Sequence, residues 1–159
     1  MEYNIRLETI VASQPTAVVR RRASLRELPK VIPEACGAAW NAVRAQQIKG
    51  AGRNVAIYLD DQINLEAGVE LSAPVVADDP LIVSSIPSGT VVTATHFGPY
   101  GQLPEVHRAI RDWCAKQGYA LAGPNWEIYG HWQDSWKNSP SLIRTDVFYL
   151  LKSGGTARH

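Results

Sequence analysis

One sequence unit occurs twice in this chain, and the repeat limits the folds that the chain can adopt. The first copy spans residues 16–58 and the second spans residues 90–129. In both copies a Leu-Pro pair is followed by a Trp, and a short segment that begins with Asn then ends on a Tyr. Self-similarity of this kind indicates a fold built from two similar halves, so we expect an internal pseudo-symmetry with a cleft between the halves.

The two copies differ chemically in their last segment. The first copy ends in Asn-Val-Ala-Ile-Tyr58 and the second ends in Asn-Trp-Glu-Ile-Tyr129. Glu127 therefore takes the place of Ala56 and gives one half of the cleft an acid that the other half lacks. We predict that Glu127 is the functional residue.

The composition is that of an ordinary globular protein. The chain has 159 residues, of which 45% are hydrophobic and 19% are charged, and its net charge is +1. A nearly neutral chain has no global field that attracts nucleic acid or a membrane surface, so direct binding to either is disfavoured. No apolar run approaches the roughly 20 residues of a membrane-spanning helix. Because residues 1–6 do not resemble a signal peptide, we expect a cytoplasmic protein.

Hydrophobic periodicity divides each half of the chain into a strand, a helix and two further strands. One helix is expected from a capping box at Ser24, with an irregular start because of Pro33, and the other from Leu103 to a stop at Gly118. The predicted strands cover residues 3–12, 16–22, 54–59, 65–71, 81–86, 90–96, 126–131 and 142–151. Helices on one side of a mostly antiparallel sheet give an α+β fold, whose other face is expected to hold the ligand cleft.

We predict one domain over residues 1–152. Its first module is expected at residues 1–72 and its second at residues 81–152, joined by a connector at 73–80 that is rich in Pro and Asp. The tail at 153–159 is expected to be disordered.

The second copy resembles the GyrI-like small-molecule-binding domain, which also forms the effector-binding part of AraC- and MerR-type transcription activators. The resemblance is carried by His-Phe-Gly-Pro-Tyr100-Gly-Gln-Leu-Pro104, by Gly-Pro-Asn-Trp-Glu-Ile-Tyr129 and by Arg-Thr-Asp-Val-Phe-Tyr149. The first copy fits the weaker first repeat of the family, so the resemblance covers nearly the whole chain. It implies two strand-helix-strand-strand modules, in agreement with the periodicity.

The resemblance also implies a function. Members bind drugs or effectors in an aromatic cleft whose central carboxylate, here Glu127, faces a lipophilic cation. Some members lack a DNA-binding part, some hydrolyse cyclopropane-bearing alkylating natural products, and one antagonises inhibition of DNA gyrase. This chain departs from the family in a longer aromatic segment at residues 130–140, which predicts a lid.

Strand alternation predicts how the acid is presented. It places Glu127, Tyr129 and His131 on one side of their strand, the expected cleft side, and it places Trp126 and Ile128 against the helices. A carboxylate among aromatic rings loses solvation and favours a cationic ligand. Alternatively, Glu127 pairs with Arg144 on the next strand and has a structural role only.

Other aromatic residues are candidates for the cleft wall. Tyr100 lies in a Gly-rich loop before a helix and either lines the cleft or anchors the loop. Tyr58 is the repeat partner of Tyr129, and Tyr149 lies in the last strand. Trp132 and Trp136 either close over a ligand or hold their loop to the body of the protein.

Neither a cofactor nor a metal is predicted. The histidines have no recognised metal spacing, so we expect them to be solvated or capping residues. Two functions are therefore weighed: a protein that binds a hydrophobic, cationic small molecule without direct nucleic-acid contact, and a hydrolase. In the hydrolase, Glu127 is the general base and Tyr129 or Tyr100 is the proton donor.

Overall fold

The computed structural model describes residues 3–60 and 63–152. The chain divides into two compact units. The central unit is Ala12–Ser88, and the terminal unit combines Met1–Val11 with Gly89–His159. The tail that was predicted to be disordered, residues 153–159, lies outside the described residues.

Eight strands and two α-helices make up the described part of the chain. In chain order they are β1 (Arg6–Ile10), β2 (Gln14–Arg22), α1 (Leu28–Ala45), β3 (Ala51–Tyr58), β4 (Asn64–Leu71), β5 (Ile82–Ile86), β6 (Gly89–Phe97), α2 (Leu103–Gln117), β7 (Leu121–Tyr129) and β8 (Arg144–Leu151). Strand β7 begins earlier than predicted, at Leu121, and a register shift follows before Asn125. It ends before His131, which was predicted to belong to it.

The two units share one strand order. In the central unit the order is β3-β4-β2-β5, and in the terminal unit it is β7-β8-β6-β1. The described pairs within both units are antiparallel. Each unit therefore contains the predicted strand-helix-strand-strand module plus one edge strand, and the α+β class is confirmed.

Helix α1 has the irregular start that the sequence predicts. The Ser24 backbone N–H donates to Glu27 Oε1 at 2.9 Å, and a short 3-10 helix at Leu25–Glu27 leads into α1. Pro33 lies within the helix. A capping box of this kind satisfies donors that the first helical turn would leave without partners.

Helix α2 packs its apolar side on the sheet of the terminal unit. The helix ends at Gly118, whose φ of 80° lies in the left-handed region that favours glycine. The buried contact joins Leu103, Val106, Ile110 and Cys114 of α2 to Val92, Ala94, Val147, Tyr149 and Leu151 of the sheet. Within the described ranges, neither helix is long and apolar enough to cross a bilayer.

Candidate functional site

Glu127 lies in β7 on the side of the sheet that α2 covers. Its Cα is paired with that of Val147, which belongs to the core beneath α2. The residue is only 3% exposed. Its Oε2 atom lies 2.6 Å from Nε2 of His107 in α2, and its Oε1 atom accepts a hydrogen bond from the Tyr129 hydroxyl. The acid is therefore buried and oriented from two sides.

The contact with His107 continues into a chain of hydrogen bonds. His107 Nδ1 lies 2.6 Å from the Tyr149 hydroxyl oxygen, and the His107 and Tyr149 rings meet edge to face with centroids 5.5 Å apart. The Arg111 guanidinium, one helical turn after His107, donates to the same hydroxyl oxygen at 3.0 Å. Three side chains, those of Arg111, Tyr149 and His107, thus connect the surface of α2 to the buried carboxylate.

The direction of these bonds follows from what each group can donate. Arg111 can only donate, so the oxygen of Tyr149 accepts and its own proton is available to Nδ1 of His107. The remaining proton of a neutral His107 then lies on Nε2 and points to Glu127. The Tyr129 hydroxyl donates to the other carboxylate oxygen. In this arrangement each of the two carboxylate oxygens of Glu127 accepts one hydrogen bond of the network.

Burial has a measurable effect on Tyr149. The residue is 4% exposed, and its burial raises the pKa of the hydroxyl to about 12, although the positive charge of Arg111 acts in the opposite direction. The hydroxyl therefore remains protonated over the working range of most proteins, and its proton is available to His107 throughout that range.

The predicted alternation of side chains along β7 is correct, but the side of the strand that was predicted to face the helices is wrong. Glu127 and Tyr129 lie on the side of α2, whereas Trp126 and Ile128 point to the opposite side. Trp126 is fully buried and stacks on Phe148 with ring centroids 5.6 Å apart. Because both sides of β7 are buried, the presence of large apolar side chains on one side did not indicate which side faces the helix.

The alternative pairing of Glu127 with Arg144 is also wrong. Arg144 is in register with Phe97 of β6 and lies on the side of β8 opposite Val147, the partner of Glu127. It donates instead to Asp146 of its own strand at 3.3 Å. The carboxylate of Glu127 is held from α2 rather than from β8.

The aromatic candidates occupy different environments. Tyr100 is 43% exposed and meets Tyr129 edge to face, with ring centroids 5.7 Å apart, so it adjoins the acid through Tyr129. Tyr149 belongs to the hydrogen-bond chain beneath α2. Tyr58 lies in the central unit and is 8% exposed.

The aromatic segment after β7 contains a 3-10 helix at Asp134–Lys137. Trp136 is buried and lies so close to Gly130 that a Cβ there would come within 3.1 Å of its ring. Trp132 is 51% exposed and meets Trp136 edge to face at 5.5 Å. Trp136 therefore holds the segment to the terminal unit, and Trp132 is the exposed member of the pair.

Sequence reasoning missed the parts that His107 and Arg111 play. The polar character of both residues suggests the outer side of α2, and the histidines were expected to be solvated or capping residues. His107 instead touches Glu127, and His96 is fully buried with Nε2 3.2 Å from the Pro99 carbonyl oxygen. The missed signal was spacing, since His107 and Arg111 follow Leu103 at intervals of one helical turn.

Comparison with known proteins gives the family. The family model of the GyrI-like small-molecule-binding domain matches residues 4–152. The chain belongs to the GyrI-like family. The doubled strand-helix-strand-strand topology is thus that of a GyrI-like domain. The sequence has no significant match among curated proteins.

Solved structures with the same fold include a C-terminal domain, a ligand-bound protein and a hydrolase. The C-terminal domain of EcmrR has a TM-score of 0.74 at 20% identity, covering 96% of this chain and 99% of that domain. SAV2435 bound to tetraphenylphosphonium has a TM-score of 0.65 at 13% identity, covering 96% and 95% of the two chains. A hydrolase from Listeria innocua has a TM-score of 0.57 at 11% identity, covering 93% and 91%. At these identities the likeness concerns the GyrI-like fold.

Proposed function

We propose that this GyrI-like protein binds lipophilic aromatic cations through Glu127 and acts in the cytoplasm as an effector sensor or a drug-sequestering protein. The observation that carries the proposal is the burial of the Glu127 carboxylate, which is 3% exposed, beside the imidazole of His107 and the hydroxyl of Tyr129. Burial removes water from a carboxylate, and a cation beside it favours its charged form.

Aromatic rings beside the acid add to this preference. Tyr129 donates to Glu127 and is itself in contact with the half-exposed ring of Tyr100. A cation over an aromatic face gains about 0.5–2 kcal/mol, the larger value applying when water is excluded. We propose Tyr129, Tyr100 and Trp132 as ring contacts for the ligand.

Tyr149 has a different proposed role. Its hydroxyl lies between His107 and Arg111, so we assign it to the support of Glu127 rather than to a wall that touches the ligand. Its effect on binding would be exerted through the orientation of His107.

The relatives give independent support for the ligand class. Tetraphenylphosphonium, which occupies SAV2435, is a lipophilic cation with aromatic rings. In a cryo-EM structure of an EcmrR–DNA complex, the match has a TM-score of 0.71 at 19% identity, covering 95% of this chain and 58% of that one. We propose that residues 4–152 bind the small molecule and make no direct contact with nucleic acid.

The substitution Glu127→Gln tests the charge directly. Calorimetry would compare the affinities of tetraphenylphosphonium and of triphenylphosphine oxide, which is neutral. We expect the variant to bind the cation more weakly by about 1–3 kcal/mol, the cost of losing a hydrogen-bonded charge in a buried site. The affinity for the neutral compound should remain nearly the same.

A matched control is available in the central unit. Glu66 is also 3% exposed and accepts a hydrogen bond from Ser84 at 2.6 Å, so Glu66→Gln removes another buried charge. This variant should keep the affinity of the wild-type protein for the cation. Equal weakening of the cation and the neutral compound in Glu127→Gln, or equal weakening in both variants, would contradict the charge role.

A second candidate function is hydrolysis of a strained, cyclopropane-bearing electrophile, favoured by the contact between an acid and a phenol. Glu127 would take a proton from a water molecule while the oxygen of that water forms a bond to a carbon of the cyclopropane ring. The strained carbon–carbon bond would break, and its electron pair would pass to a conjugated carbonyl oxygen that is protonated by Tyr129 or Tyr100. A fold relative named as a hydrolase is consistent with this chemistry.

Turnover separates the two candidates. A cyclopropane-bearing alkylator would be incubated in excess with the protein, and loss of its chromophore would be followed by absorbance. Consumption of many equivalents, abolished by Glu127→Gln, would establish the hydrolase. Consumption of one equivalent or less would favour the binding protein.

A further inference from the structure

Three buried polar groups of the terminal unit have no hydrogen-bond partner among the described residues. They are the hydroxyl of Tyr3, Nδ1 of His96 and Oγ1 of Thr145. His96 and Thr145 are both 0% exposed. A buried polar group without a partner costs free energy, and native proteins contain few of them. Three such groups in one place therefore need a physical explanation.

The three groups are neighbours on the side of the sheet that α2 covers. The Cα atoms of His96 and Thr145 are paired in β6 and β8, and the ring centroids of Tyr3 and His96 are 6.0 Å apart. Side chains directly opposite each other in an antiparallel sheet have Cβ atoms about 4.5–5.5 Å apart. Thr145 is also paired with Tyr129 of β7, whose hydroxyl donates to Glu127. The cluster therefore adjoins the candidate site at Tyr129.

The orientation of His96 defines what the cluster can bind. Its Nε2 lies 3.2 Å from the carbonyl oxygen of Pro99, which can only accept, so the proton of a neutral imidazole is on Nε2 and Nδ1 is an acceptor. The backbone at Gly98 packs against the ring, since a Cβ there would come within 3.0 Å of Nε2. The hydroxyls of Tyr3 and Thr145 can each donate or accept. A fixed acceptor beside two hydroxyls is complementary to another hydroxyl group.

We propose that Tyr3, His96 and Thr145 form a polar subsite that receives a hydroxyl group of the bound ligand. The hydroxyl of the ligand donates to Nδ1 of His96 and accepts from Thr145 or Tyr3. This inference rests on the proposed function. It gives the same site a second chemical requirement, in addition to the positive charge that Glu127 attracts.

Access to the subsite depends on the same opening as access to the acid. Glu127 is 3% exposed and Thr145 is 0% exposed, so neither is open to solvent in this structure. A ligand that reaches Glu127 has to displace side chains that cover this side of the sheet. The pairing of Thr145 with Tyr129 places the subsite next to that opening.

The test uses two cations of equal charge and nearly equal shape, (3-hydroxypropyl)triphenylphosphonium and butyltriphenylphosphonium. They differ by a hydroxyl in place of a methyl group. The three-carbon chain is chosen because Glu127 is paired with Val147, two residues after Thr145, and such diagonal neighbours are separated by about 7–8 Å. Calorimetry would give the ratio of the two affinities for the wild-type protein and for Thr145→Val, which removes the hydroxyl but keeps the shape of the side chain.

The hydroxyl compound should lose affinity in Thr145→Val relative to the butyl compound. We expect the ratio to fall by about two- to tenfold, the range of one net hydrogen bond, while the affinity for the butyl compound remains nearly unchanged. Tyr3→Phe removes the other hydroxyl and should change the ratio in the same direction.

Thr93→Val is the matched control. Thr93 is also buried, at 1% exposure, but its Oγ1 donates to the carbonyl oxygen of Val147 at 2.8 Å, and it lies on the side of β6 opposite Ala94. This variant should keep the wild-type ratio. In urea it should unfold at a lower concentration than the wild type because it loses a hydrogen bond, whereas Thr145→Val should not, since its hydroxyl has no described partner to lose.

The outcomes are distinguishable from those of the proposed function. If Thr145→Val and Tyr3→Phe both keep the wild-type ratio, or if Thr93→Val changes it as much, the three groups are not a hydroxyl subsite, although the binding function stands. If urea unfolding shows that Thr145→Val does not fold, Tyr3→Phe decides. If the wild-type protein binds neither cation, the proposed function itself fails.

Discussion

The hydroxyl of Tyr149 links two side chains of the candidate site through hydrogen bonds. It accepts from Arg111 and can donate to His107, so it connects the guanidinium to the imidazole. Replacing the hydroxyl by hydrogen would leave Nδ1 of His107 without its donor. Glu127 would then depend on Tyr129 and on a less firmly oriented imidazole.

Tyr149 should make the protein less stable in alkali. An unfolded tyrosine ionises near pH 10, whereas burial raises the pKa of Tyr149 in the folded protein to about 12. The folded state therefore favours the neutral form, and this contribution is complete below about pH 10 and is lost as the pH rises through about 12. From pH 9 to pH 11, the free energy of unfolding should fall by about 1 kcal/mol more in the wild-type protein than in Tyr149→Phe.

Urea unfolding at the two pH values measures this difference. The other tyrosines titrate in both proteins, so their contribution cancels in the comparison. The lost hydrogen bonds of Tyr149→Phe give an offset that is present at both pH values. The same change with pH in the two proteins would mean that Tyr149 ionises in the folded state as easily as in the unfolded state.

At the scale of single elements, α2 shows what periodicity can and cannot predict. The extent of the helix and its end at Gly118 were predicted correctly, because the signals for both are local in sequence. These signals are the Leu-Pro pair at the start, the helical spacing of apolar residues and the glycine at the end. The roles of His107 and Arg111 were missed, because their polar character placed them on the outer side. A helix side that meets a sheet can include polar residues when the sheet offers Glu127 and Tyr149 as partners.

Strand β7 gives the complementary lesson. Its alternation separates Trp126 and Ile128 from Glu127 and Tyr129, and this separation could be predicted because it follows from strand geometry alone. The choice of the side that faces α2 could not be predicted, since both sides are buried and neither shows the polar pattern of a solvated surface. That choice depends on long-range contacts with α2.

In the aromatic segment after β7, Trp136 should hold the segment in place, whereas the exposed Trp132 should contribute little to stability. Trp136 is 6% exposed and packs against Gly130, so Trp136→Ala should reduce the free energy of unfolding by about 3–5 kcal/mol. Trp132 is 51% exposed, so Trp132→Ala should cost about 1 kcal/mol, mainly the edge-to-face contact. Urea unfolding of both variants measures these losses.

Ligand affinity separates the roles further. If Trp132 covers the bound cation, Trp132→Ala should weaken tetraphenylphosphonium while the protein stays nearly as stable as the wild type. An unchanged affinity would remove Trp132 from the proposed site. A stability loss in Trp132→Ala as large as that in Trp136→Ala would show that the exposed ring also holds the segment in place.

At the scale of the whole molecule, the repeat predicts the modules but not the edge strands. Strand β1, which precedes the first copy of the repeat, pairs with β6 of the second copy, and β5, which precedes the second copy, pairs with β2 of the first. Local periodicity identified both segments as strands. It carries no information about partners that are distant in sequence, so the composition of the two units could only come from the structure.

The pairing of β1 with β6 predicts which part of the molecule depends on the N-terminal residues. Tyr3 and Ile5 pack against the core beneath α2, and β1 covers the edge of β6 from Thr93 to Gly89. Deleting residues 1–11 should therefore lower the free energy of unfolding of the terminal unit by about 2–4 kcal/mol, the value of burying one or two such side chains. Amide hydrogen exchange should be faster in β6 and unchanged in β2 and β4, whose described partners all lie in the central unit. Equal loss of protection in β2 and β6 would contradict this assignment, because it would mean that β1 stabilises both units.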